Sequence, residues 1–540
     1  MSSTIIPSAL PWTGERMVPF ASDTATELYH WQRYLFFRPW YSDARVIDAA
    51  SGEGYGTNYA SLFAQSSTGI DLSFEAVDHA RTRYPHATFK VADVCSADYS
   101  EADLITSFET IEHLPDPYLF LKALSACKGR IVISTPNRKT HSPGNQLDDK
   151  PLNPFHTVEW TPLEFADVIN GAFPDRQVRF LSQQCEWPGR IVEGLDDDAM
   201  YCIAVIGDGE LPAWPTVGLA MPTCDNPTQA KDAILYLSKF YPGDLRFSLV
   251  ANGSSEATLS ELRPFCEALS HIVTLTELPT NLGYGQGANR GLEWLSGQNM
   301  DLYGVVNDDV VPAVDCLNEM VHAMTQLVSA CQNPGIVGPV SNNVNGAQQV
   351  DIGQFSTVSE MHYRAEAWQR EHRNSGTQAV QVRGLFVLIH PDCLKQVGGF
   401  DPCFGLGNFE DDDYNLRTRL AGFTNWIADG AFLFHHGSQT FKSLNVDYSA
   451  NIARNSEIFA RKWGLDSSDQ WVQLDLNPTD APLFVPLSAA LMQDHPIRVN
   501  GETIDLVSQA SDLEFAAWVM RQLGAQDRSR RKDVIELLSA

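Results

Sequence analysis

The sequence lacks any apolar run long enough to cross a bilayer, and its first residues lack the basic, apolar and small-residue series of a secretion signal. Positive charge is also scarce, because 38 Lys and Arg stand against 67 Asp and Glu, which gives a net charge of -29. A nucleic-acid surface needs clustered cations, so this balance argues against DNA or RNA as a partner. We therefore expect a cytoplasmic protein with no transmembrane segment.

One local exception to the acidic charge lies near the end of the sequence. It consists of Arg528, Arg530, Arg531 and Lys532. Such a cluster is typical of a solvated helix face, and it could also dock on an anionic membrane. The sequence thus leaves open a peripheral position at the cytoplasmic face of the inner membrane, and it gives no indication of oligomeric state.

Paired or clustered cysteines are absent as well. The ten cysteines are scattered, without a C-x-x-C motif and without a Cys/His cluster at metal-binding spacing. In a cytoplasmic protein this pattern indicates reduced, mostly buried thiols and argues against disulfides or structural zinc.

The alternation of short apolar runs with helical stretches predicts the fold class. A chain of 540 residues is too long for one hydrophobic core. Runs such as ARVIDAA and GRIVIST in the first half, and VGLAMPT and LYGVVND in the second, suit buried strands of an α/β fold with mostly parallel sheets. The Gly- and Pro-rich segment GDGELPAWPTVG predicts domains at 1–212 and 213–465, followed by a small mixed C-terminal region of unknown role at 466–540.

The first half carries a glycine-rich turn directly after a strand. In VIDAASGEGYGT, Asp48 ends the strand, and Gly52 and Gly54 lie in a turn whose backbone can approach a ligand. Such a turn can also serve only to pack a helix on a sheet. Two later acids favour a cofactor, since Asp71 in GIDLS can accept ribose hydroxyls and Asp93 in VADV can accept an adenine amino group.

The ordered segments TGERMVP, AASGEGYG, GIDLS, SFETIEHL, ISTPNR and NPFHTVEW resemble class I S-adenosylmethionine-dependent methyltransferases, especially those of polysaccharide-assembly proteins. The resemblance covers about residues 12–210 and implies a Rossmann-like domain that uses S-adenosylmethionine. The residues that it assigns to the cofactor are Asp48, Gly52, Gly54, Asp71 and Asp93. The sequence departs from the family at Ala50, where glycine is more usual.

Methyl transfer is an in-line displacement at a sulfonium carbon, so a base need only take the proton of the acceptor hydroxyl. The candidate bases are His113 and His156, with Glu112 and Glu159 as neighbours that could orient them. Each of these side chains could instead be a structural hydrogen-bonding group under a loop. Both interpretations stay open at this point.

The second half carries a pair of carboxylates where a strand ends. VVNDDV places Asp308 and Asp309 after an apolar run, and their oxygens suit Mg²⁺ or Mn²⁺ bridging to a diphosphate. An Asp pair is also common on exposed turns. Upstream, NLGYGQGANRG places Gly287 and Asn289 at a helix start, as expected for a loop that contacts a nucleotide-sugar.

These segments, followed by QVRGLFVLIHPDCLKQVGGFDPCFGLGNFEDDDYNLRTRLAG and FLFHHGSQTF, resemble inverting GT-A glycosyltransferases of the large family 2 type, especially rhamnosyltransferase-like members. The resemblance covers about residues 216–465. It implies a GT-A, Rossmann-like domain, a nucleotide-sugar donor, and a glycan or lipid-linked oligosaccharide acceptor.

Matched residue by residue, the resemblance makes Asp309 the metal-binding acid, with Asp308 beside it as part of the donor site. His435 matches a histidine that completes the metal or diphosphate site, and His436 is the alternative. In FEDDDY, Glu410 and Asp411 match the acidic pair whose Asp is the general base on the acceptor hydroxyl.

Further matches concern the surroundings of this site. Asp413 matches the later acid of the same pattern, and Arg417 pairs with the acids in either a structural or a functional role. The family usually has an acid near the nucleobase where this sequence has Ala251, so Asn252 or Asp225 would contact the base instead.

Taken together, the two resemblances imply a bifunctional enzyme of bacterial surface-polysaccharide assembly. It would transfer a sugar, with rhamnose as one candidate, and O-methylate a sugar of the same glycan. Two alternatives remain: a methyltransferase with a non-catalytic, glycan-binding second half, and an enzyme of natural-product glycosylation and methylation.

Overall fold

In the computed structural model, which describes residues 10, 16–20, 24–437, 448–473, 484–488, 497–499 and 502–504, the chain divides into two compact units. The first comprises Met1–Trp214 with Lys239–Gly243, and the second comprises Pro215–Ser238 with Asp244–Ala540. No helix within these described ranges is long and apolar enough to cross a membrane. The basic cluster at 528–532 lies outside the described residues.

The first unit is built on an eight-stranded sheet. Its strands are β1 (Arg45–Ala49), β2 (Ser66–Asp71), β3 (Thr88–Val91), β4 (Leu104–Phe108), β5 (Arg130–Pro136), β6 (Val178–Gln183), β7 (Ile191–Glu193) and β8 (Tyr201–Ile206). Its helices are α1 (Thr24–Phe36), α2 (Tyr55–Ala60), α3 (Phe74–Arg83), α4 (Pro117–Leu124), α5 (Arg138–His141) and α6 (Pro162–Ala172).

The order of this sheet is β3-β2-β1-β4-β5-β8-β6-β7, and its first five strands run parallel. β4 is buried along its whole length, as expected for a parallel strand covered on both faces. The strand order reverses between β1 and β4, which opens a crevice at their carboxyl ends. This crevice positions the first site.

The second unit is built on an eleven-stranded sheet. Its strands are β9 (Val217–Thr223), β10 (Leu245–Asn252), β11 (Val273–Leu278), β12 (Leu302–Val306), β13 (Val310–Pro312), β14 (Pro334–Ser341), β15 (Gly376–Ala379), β16 (Phe386–Ile389), β17 (Thr424–His435), β18 (Ile497–Val499) and β19 (Glu502–Ile504). The helices that follow the first unit in the chain are α7 (Pro227–Phe240), α8 (Glu256–Ala268), α9 (Tyr284–Ser296), α10 (Cys316–Ser329), α11 (Val358–His372), α12 (Pro391–Val397), α13 (Glu410–Leu420) and α14 (Tyr448–Trp463).

The order of the second sheet is β13-β17-β14-β16-β12-β9-β10-β11-β18-β19, with β15 paired to β17. β9 lies between its parallel neighbours β10 and β12, so the strand order reverses here too. The carboxyl ends of β9 and β12 therefore meet at one edge of the sheet. The expected α/β class is confirmed, with parallel strands at the centre of each sheet and antiparallel strands beside them.

The region after residue 465 is less separate than the sequence predicts. β18 pairs with β11 at the edge of the second sheet, and the backbone of Val485 bonds with Val397 and Gly399. Trp471 is buried against Phe459 of α14. Where it is described, this region therefore forms part of the second unit, because β18 pairs with β11 and Trp471 is buried in an apolar cluster of that unit.

Candidate functional site

The glycine-rich turn after β1 adopts a backbone that favours glycine. Gly52 has a φ of 55° and Gly54 a φ of 98°, both in the left-handed region. A Cβ on Gly54 would lie 2.8 Å from Ala80 of α3 and 2.8 Å from the ring of Phe89 on β3. Gly54 thus allows close helix packing, while the Gly52 amide donates to Asp71 Oδ2 at 2.9 Å.

Asp48 lies beneath this turn and is almost fully buried. Its carboxylate accepts hydrogen bonds from the hydroxyls of Tyr34 (3.1 Å), Thr57 (2.7 Å) and Thr106 (2.9 Å). Burial raises the pKa of Asp48 to about 6. Because its partners are side chains of the protein itself, Asp48 positions the turn and does not present a free group to the cofactor predicted there.

Asp71 and Asp93 lie at the same edge of the sheet, because β2 and β3 are parallel neighbours. Asp71 ends β2 and also accepts from the Ser73 amide at 2.8 Å, and exposed Asp93 follows β3. Next to Asp71, Leu72 is 73% exposed and offers an apolar surface. A carboxylate beside an exposed apolar side chain fits a ribose and a purine ring.

The sequence reasoning missed Arg16, Arg33 and Leu72 at this edge. The Arg16 side chain covers the glycine turn, since its Cγ lies 3.6 Å from the position of a Cβ on Gly52. Arg33 is fully buried, with Nη1 3.5 Å from Glu109 Oε1 and its guanidinium 4.6 Å from the centre of the Tyr201 ring. Arg16 lies within TGERMVP, and its positive charge there could have suggested a functional role. Nothing in the sequence of α1 suggested a functional role for Arg33.

The two candidate bases are brought together by the structure. The rings of His113 and His156 lie 4.8 Å apart, edge to face. His156 Nδ1 donates to Glu159 Oε1 at 2.6 Å, and Glu112 Oε1 lies 3.8 Å from His113 Nε2. Glu112 is fully buried, and burial together with the charge of Glu109 raises its pKa well above the ordinary value. The predicted pairing of Glu159 with His156 agrees with this geometry.

Ala50 adopts a φ of 62°, which explains why glycine is more usual there. A side chain in the left-handed region costs about 1–2 kcal/mol. Glycine removes this cost, but its greater flexibility in the unfolded chain offsets part of the gain. We therefore expect Ala50→Gly to stabilise the first unit by about 0.5–1 kcal/mol. Urea denaturation would show a higher midpoint. Ala49→Gly, in the buried end of β1, is the matched control and should lower it; an equal shift in both variants would contradict this account.

In the second unit, a cavity of about 590 Å³ opens at the carboxyl ends of β9 and β12. Asp308 and Asp309 line it. Asp308 Oδ2 accepts from Thr223 at 2.7 Å, and burial raises the pKa of Asp308 to about 7. Asp309 Oδ1 lies 3.2 Å from His435 Nε2. The cavity thus collects two carboxylates and an imidazole, as the sequence predicted.

His435 is held in one orientation. Its Nδ1 donates to the Asn343 carbonyl at 2.8 Å, which leaves Nε2 directed at Asp309. Burial opposes a charge on His435, but the bond to Asp309 outweighs it and raises the pKa. Either a proton or a cation must separate these two acceptors, and an oxygen-plus-imidazole pair is a suitable ligand set for a divalent cation. The residues therefore fit the predicted Mg²⁺ or Mn²⁺.

The acidic turn that begins α13 supplies the other wall of the cavity. Asn408 and Phe409 both have a φ of 73°, which turns the chain sharply into the helix. Asp411 lines the cavity and accepts from the Gly384 amide at 3.2 Å. Glu410 also lines the cavity but is mostly buried, and burial followed by the charge of Asp411 raises the pKa of Glu410 to about 8.

Asp413 and Arg417, by contrast, are structural. Asp413 is fully buried and bonds to Arg417 at 2.8 Å, to Lys462 at 2.5 Å and to the Trp463 indole at 3.0 Å. Arg417 also donates to the Val397 carbonyl. This network joins α13 to α14 and leaves neither side chain for a ligand.

Besides Asp308, the four other residues predicted to contact the donor occupy different positions. Asn252 lines the cavity, although its amide bonds to the Leu282 amide and the Gly283 carbonyl. Asp225 accepts three hydrogen bonds from Ser255 and Thr258 at the start of α8. The hydrogen bonds of Asn252 fix the segment before α9, and those of Asp225 fix the start of α8.

The other two lie in α9. Asn289 is fully buried, and its amide bonds to both backbone groups of Phe400. The structure thus gives Asn289 a structural role instead of the predicted contact with a nucleotide-sugar. Gly287 packs closely, because an added Cβ would lie 3.1 Å from Pro222. Arg383, which lines the cavity 3.9 Å from Asp411, is a cation that the sequence reasoning missed.

Comparison with known proteins identifies two family matches. Residues 21–166 match the model of a methyltransferase domain, and residues 219–387 match that of glycosyl transferase family 2. A probable S-adenosylmethionine-dependent methyltransferase of Mycobacterium tuberculosis is 34% identical over 184 residues, which are 32% of this chain and 65% of that protein. A counterpart from Mycolicibacterium smegmatis is 36% identical over 31% of this chain and 66% of its own length.

The matched segment therefore spans just under two thirds of the length of these relatives. Among solved structures, the methyltransferase domain of bacterial CtHen1 is 21% identical, covers 33% of this chain and 99% of its own, and has a TM-score of 0.27. The two family matches fall on separate parts of the sequence that do not overlap. The chain thus combines a methyltransferase domain with a glycosyl transferase family 2 domain.

Proposed function

We propose that this protein is a bifunctional enzyme of bacterial surface-polysaccharide biosynthesis. Its second half transfers a sugar, for which rhamnose is a candidate, from a nucleotide-sugar to a glycan or lipid-linked oligosaccharide with inversion. Its first half O-methylates a sugar of the glycan with S-adenosylmethionine. Residues 1–212 and 213–465 are the proposed catalytic domains, acting in the cytoplasm or at the cytoplasmic face of the inner membrane.

One observation carries the glycosyltransferase proposal. Asp411 lines the same cavity as Asp309 and His435, which face each other at 3.2 Å. Asp309 and His435 would hold the divalent cation, with Asp308 beside them. When bound, this cation supplies positive charge against the departing nucleoside diphosphate.

The transfer step uses Asp411 as general base. The acceptor oxygen bonds to the anomeric carbon while the bond from that carbon to the diphosphate breaks, and the hydroxyl proton passes to Asp411. Arg383 supplies a further positive charge at this edge of the cavity. Buried Glu410, whose pKa is raised to about 8, keeps its proton and limits the charge beside Asp411.

The methyltransferase proposal rests on the turn after β1 and on the histidine pair. Asp71 and Asp93 would accept the ribose hydroxyls and the adenine amino group, while Gly52 and Gly54 keep the turn open. S-adenosylmethionine supplies the methyl group on its sulfonium. His156, oriented by Glu159, or His113 takes the proton of the acceptor hydroxyl.

A donor panel tests the proposal. The purified protein would be supplied with nucleotide-sugars and Mn²⁺ or Mg²⁺, with and without S-adenosylmethionine, and transfer to an oligosaccharide acceptor would be measured. We expect metal-dependent transfer from one donor and methylation of the same class of acceptor. If S-adenosylmethionine binds while no donor is bound or turned over, the second half is a non-catalytic glycan-binding module. Activity only on small-molecule acceptors would indicate natural-product modification.

A further inference from the structure

A cluster of possible metal ligands lies in the first half, outside the glycosyltransferase cavity. The ligand atoms of Glu112, His113 and His156 all lie within 4.8 Å of one another. Glu112 and His113 belong to a short turn after β4, and His156 lies in the segment after α5. The backbone carbonyl of Glu112 accepts from both the amide (2.7 Å) and the hydroxyl (2.9 Å) of Thr157, which ties the two segments together.

Both histidines have their Nδ1 atoms bonded to oxygen acceptors. His113 Nδ1 donates to the Phe155 carbonyl at 3.1 Å, and His156 Nδ1 donates to Glu159 Oε1 at 2.6 Å. A carbonyl or a carboxylate can only accept, so each ring carries its proton on Nδ1 and its lone pair on Nε2. Metal-binding histidines are typically held in this way, with the distal nitrogen bonded to a carboxylate or carbonyl.

Glu112 provides the independent observation. Its side chain is fully buried, and Oε2 accepts from Thr135 at 3.0 Å. Its Oε1 has no hydrogen-bond partner within the part of the chain that the structure describes, and it lies 3.8 Å from His113 Nε2. A buried carboxylate oxygen without a donor is costly, and a cation at this point would satisfy it.

We propose that Glu112, His113 and His156 bind a divalent first-row transition-metal ion. Two imidazole nitrogens with one carboxylate favour such ions over Mg²⁺ or Ca²⁺. Donors about 2.1 Å from an ion lie about 3–3.5 Å apart, so the ligands need to close by about 1 Å. Glu109 is not a ligand, because its carboxylate bonds to Ser134. Three protein ligands leave open coordination positions that suit oxygen donors such as sugar hydroxyls.

This inference rests on the proposed methyl transfer only for the use of the ion. It replaces the base role proposed above for His113 and His156, because an Nε2 lone pair that binds the ion cannot also take a proton. One contact competes with it, because the Asn153 amide nitrogen lies 2.9 Å from His156 Nε2 and donates to it. Metal binding must displace that hydrogen bond. Asn153→Ala should therefore bind the ion at least as tightly as the unchanged protein, which gives a matched control.

The test is a Co²⁺ titration followed by the visible absorption of the bound ion, in an Asp309→Asn background that removes the proposed cation site of the second half. We expect one equivalent to bind, with affinity lowered at least a hundredfold by His156→Gln and by Glu112→Gln. Glu159→Gln should lower it by about 10–100-fold, because it orients His156 without touching the ion. Asn153→Ala should retain one equivalent.

Co²⁺ binding that is absent, or that survives in both His156→Gln and Glu112→Gln, would overturn the inference. S-adenosylmethionine binding by each variant reports whether the first unit is folded. Methyl transfer that persists unchanged after chelation would overturn the use of the ion in that reaction and would leave the histidines as bases. Failure of S-adenosylmethionine to bind the unchanged protein would contradict the proposed function, and the Co²⁺ titration would still decide the metal site.

Discussion

Asp411→Asn should lower the rate of sugar transfer by about 10³-fold, the range expected when a general base is lost. Asp411 lines the cavity, and its Oδ2 accepts a 3.2 Å bond from the Gly384 amide and lies 3.9 Å from Arg383 Nη1. An amide keeps that size but cannot take a proton. Steady-state transfer kinetics would show the loss in kcat, whereas binding of the nucleoside diphosphate should change little.

The neighbouring acid provides the matched control. Asp412 is buried and bonds to Gln381 and Arg383, and burial raises its pKa to about 7. Asp412→Asn makes the same substitution in the same helical turn and at the same cavity, but we expect transfer to stay within about tenfold of the unchanged protein, because Asp412 is already bonded to Gln381 and Arg383. If Asp411→Asn kept its activity while Asp412→Asn lost it, the base would be assigned wrongly.

Lys462→Met should destabilise the second unit by about 3–5 kcal/mol, as expected when one partner of a buried ion pair is removed. Lys462 of α14 lies 2.7 Å from Asp401 and 2.5 Å from Asp413, both of which are buried. Methionine has similar length but leaves Asp401 without its cation. Urea denaturation would show the loss as a lower midpoint.

This network also predicts an acid dependence of stability. Burial raises the pKa of Asp401, but Lys462 outweighs burial and lowers it to about 2. The folded value lies below the unfolded value of about 4, so the contribution is present above pH 4 and is lost as the pH falls towards 2. Lys462→Met should weaken this dependence. Lys395→Met, at an exposed position of α12, is the control and should change stability by less than about 0.5 kcal/mol. A similar loss in both variants would argue against the network.

Parallel strands at the centre of the second sheet could be predicted from sequence because they are nearly continuous apolar runs. β9 coincides with the predicted VGLAMPT, and β12 with LYGVV. The strands on the mixed side of the second sheet, where parallel and antiparallel pairs meet, gave weaker signals. β17 reads TNWIADGAFLFH, in which polar and apolar residues are mixed because some of its positions are only partly buried. Its pairing with β14 and β13 therefore could not be read from spacing.

Strand β17 also shows why the contact between Asp309 and His435 could not be predicted from sequence spacing. Asp309 and His435 meet because β13 pairs with β17, with Val310 opposite His435. Sequence spacing alone cannot show that contact, and the resemblance to family 2 glycosyltransferases supplied it. Asn289 is a residue for which the sequence led to a wrong prediction of its role. A polar residue in a glycine-rich helix start can face a ligand or bond to the backbone, and only the fold shows that its amide bonds to Phe400.

The most direct test of the account is a pair of binding titrations on one preparation of the protein. We expect one equivalent of S-adenosylmethionine and one equivalent of nucleoside diphosphate, the latter dependent on Mn²⁺ or Mg²⁺. Asp71→Ala should remove only the first, and Asp309→Ala only the second. Loss of both ligands in either variant, or nucleoside diphosphate binding that needs neither metal nor Asp309, would contradict two independent transferase sites in one chain.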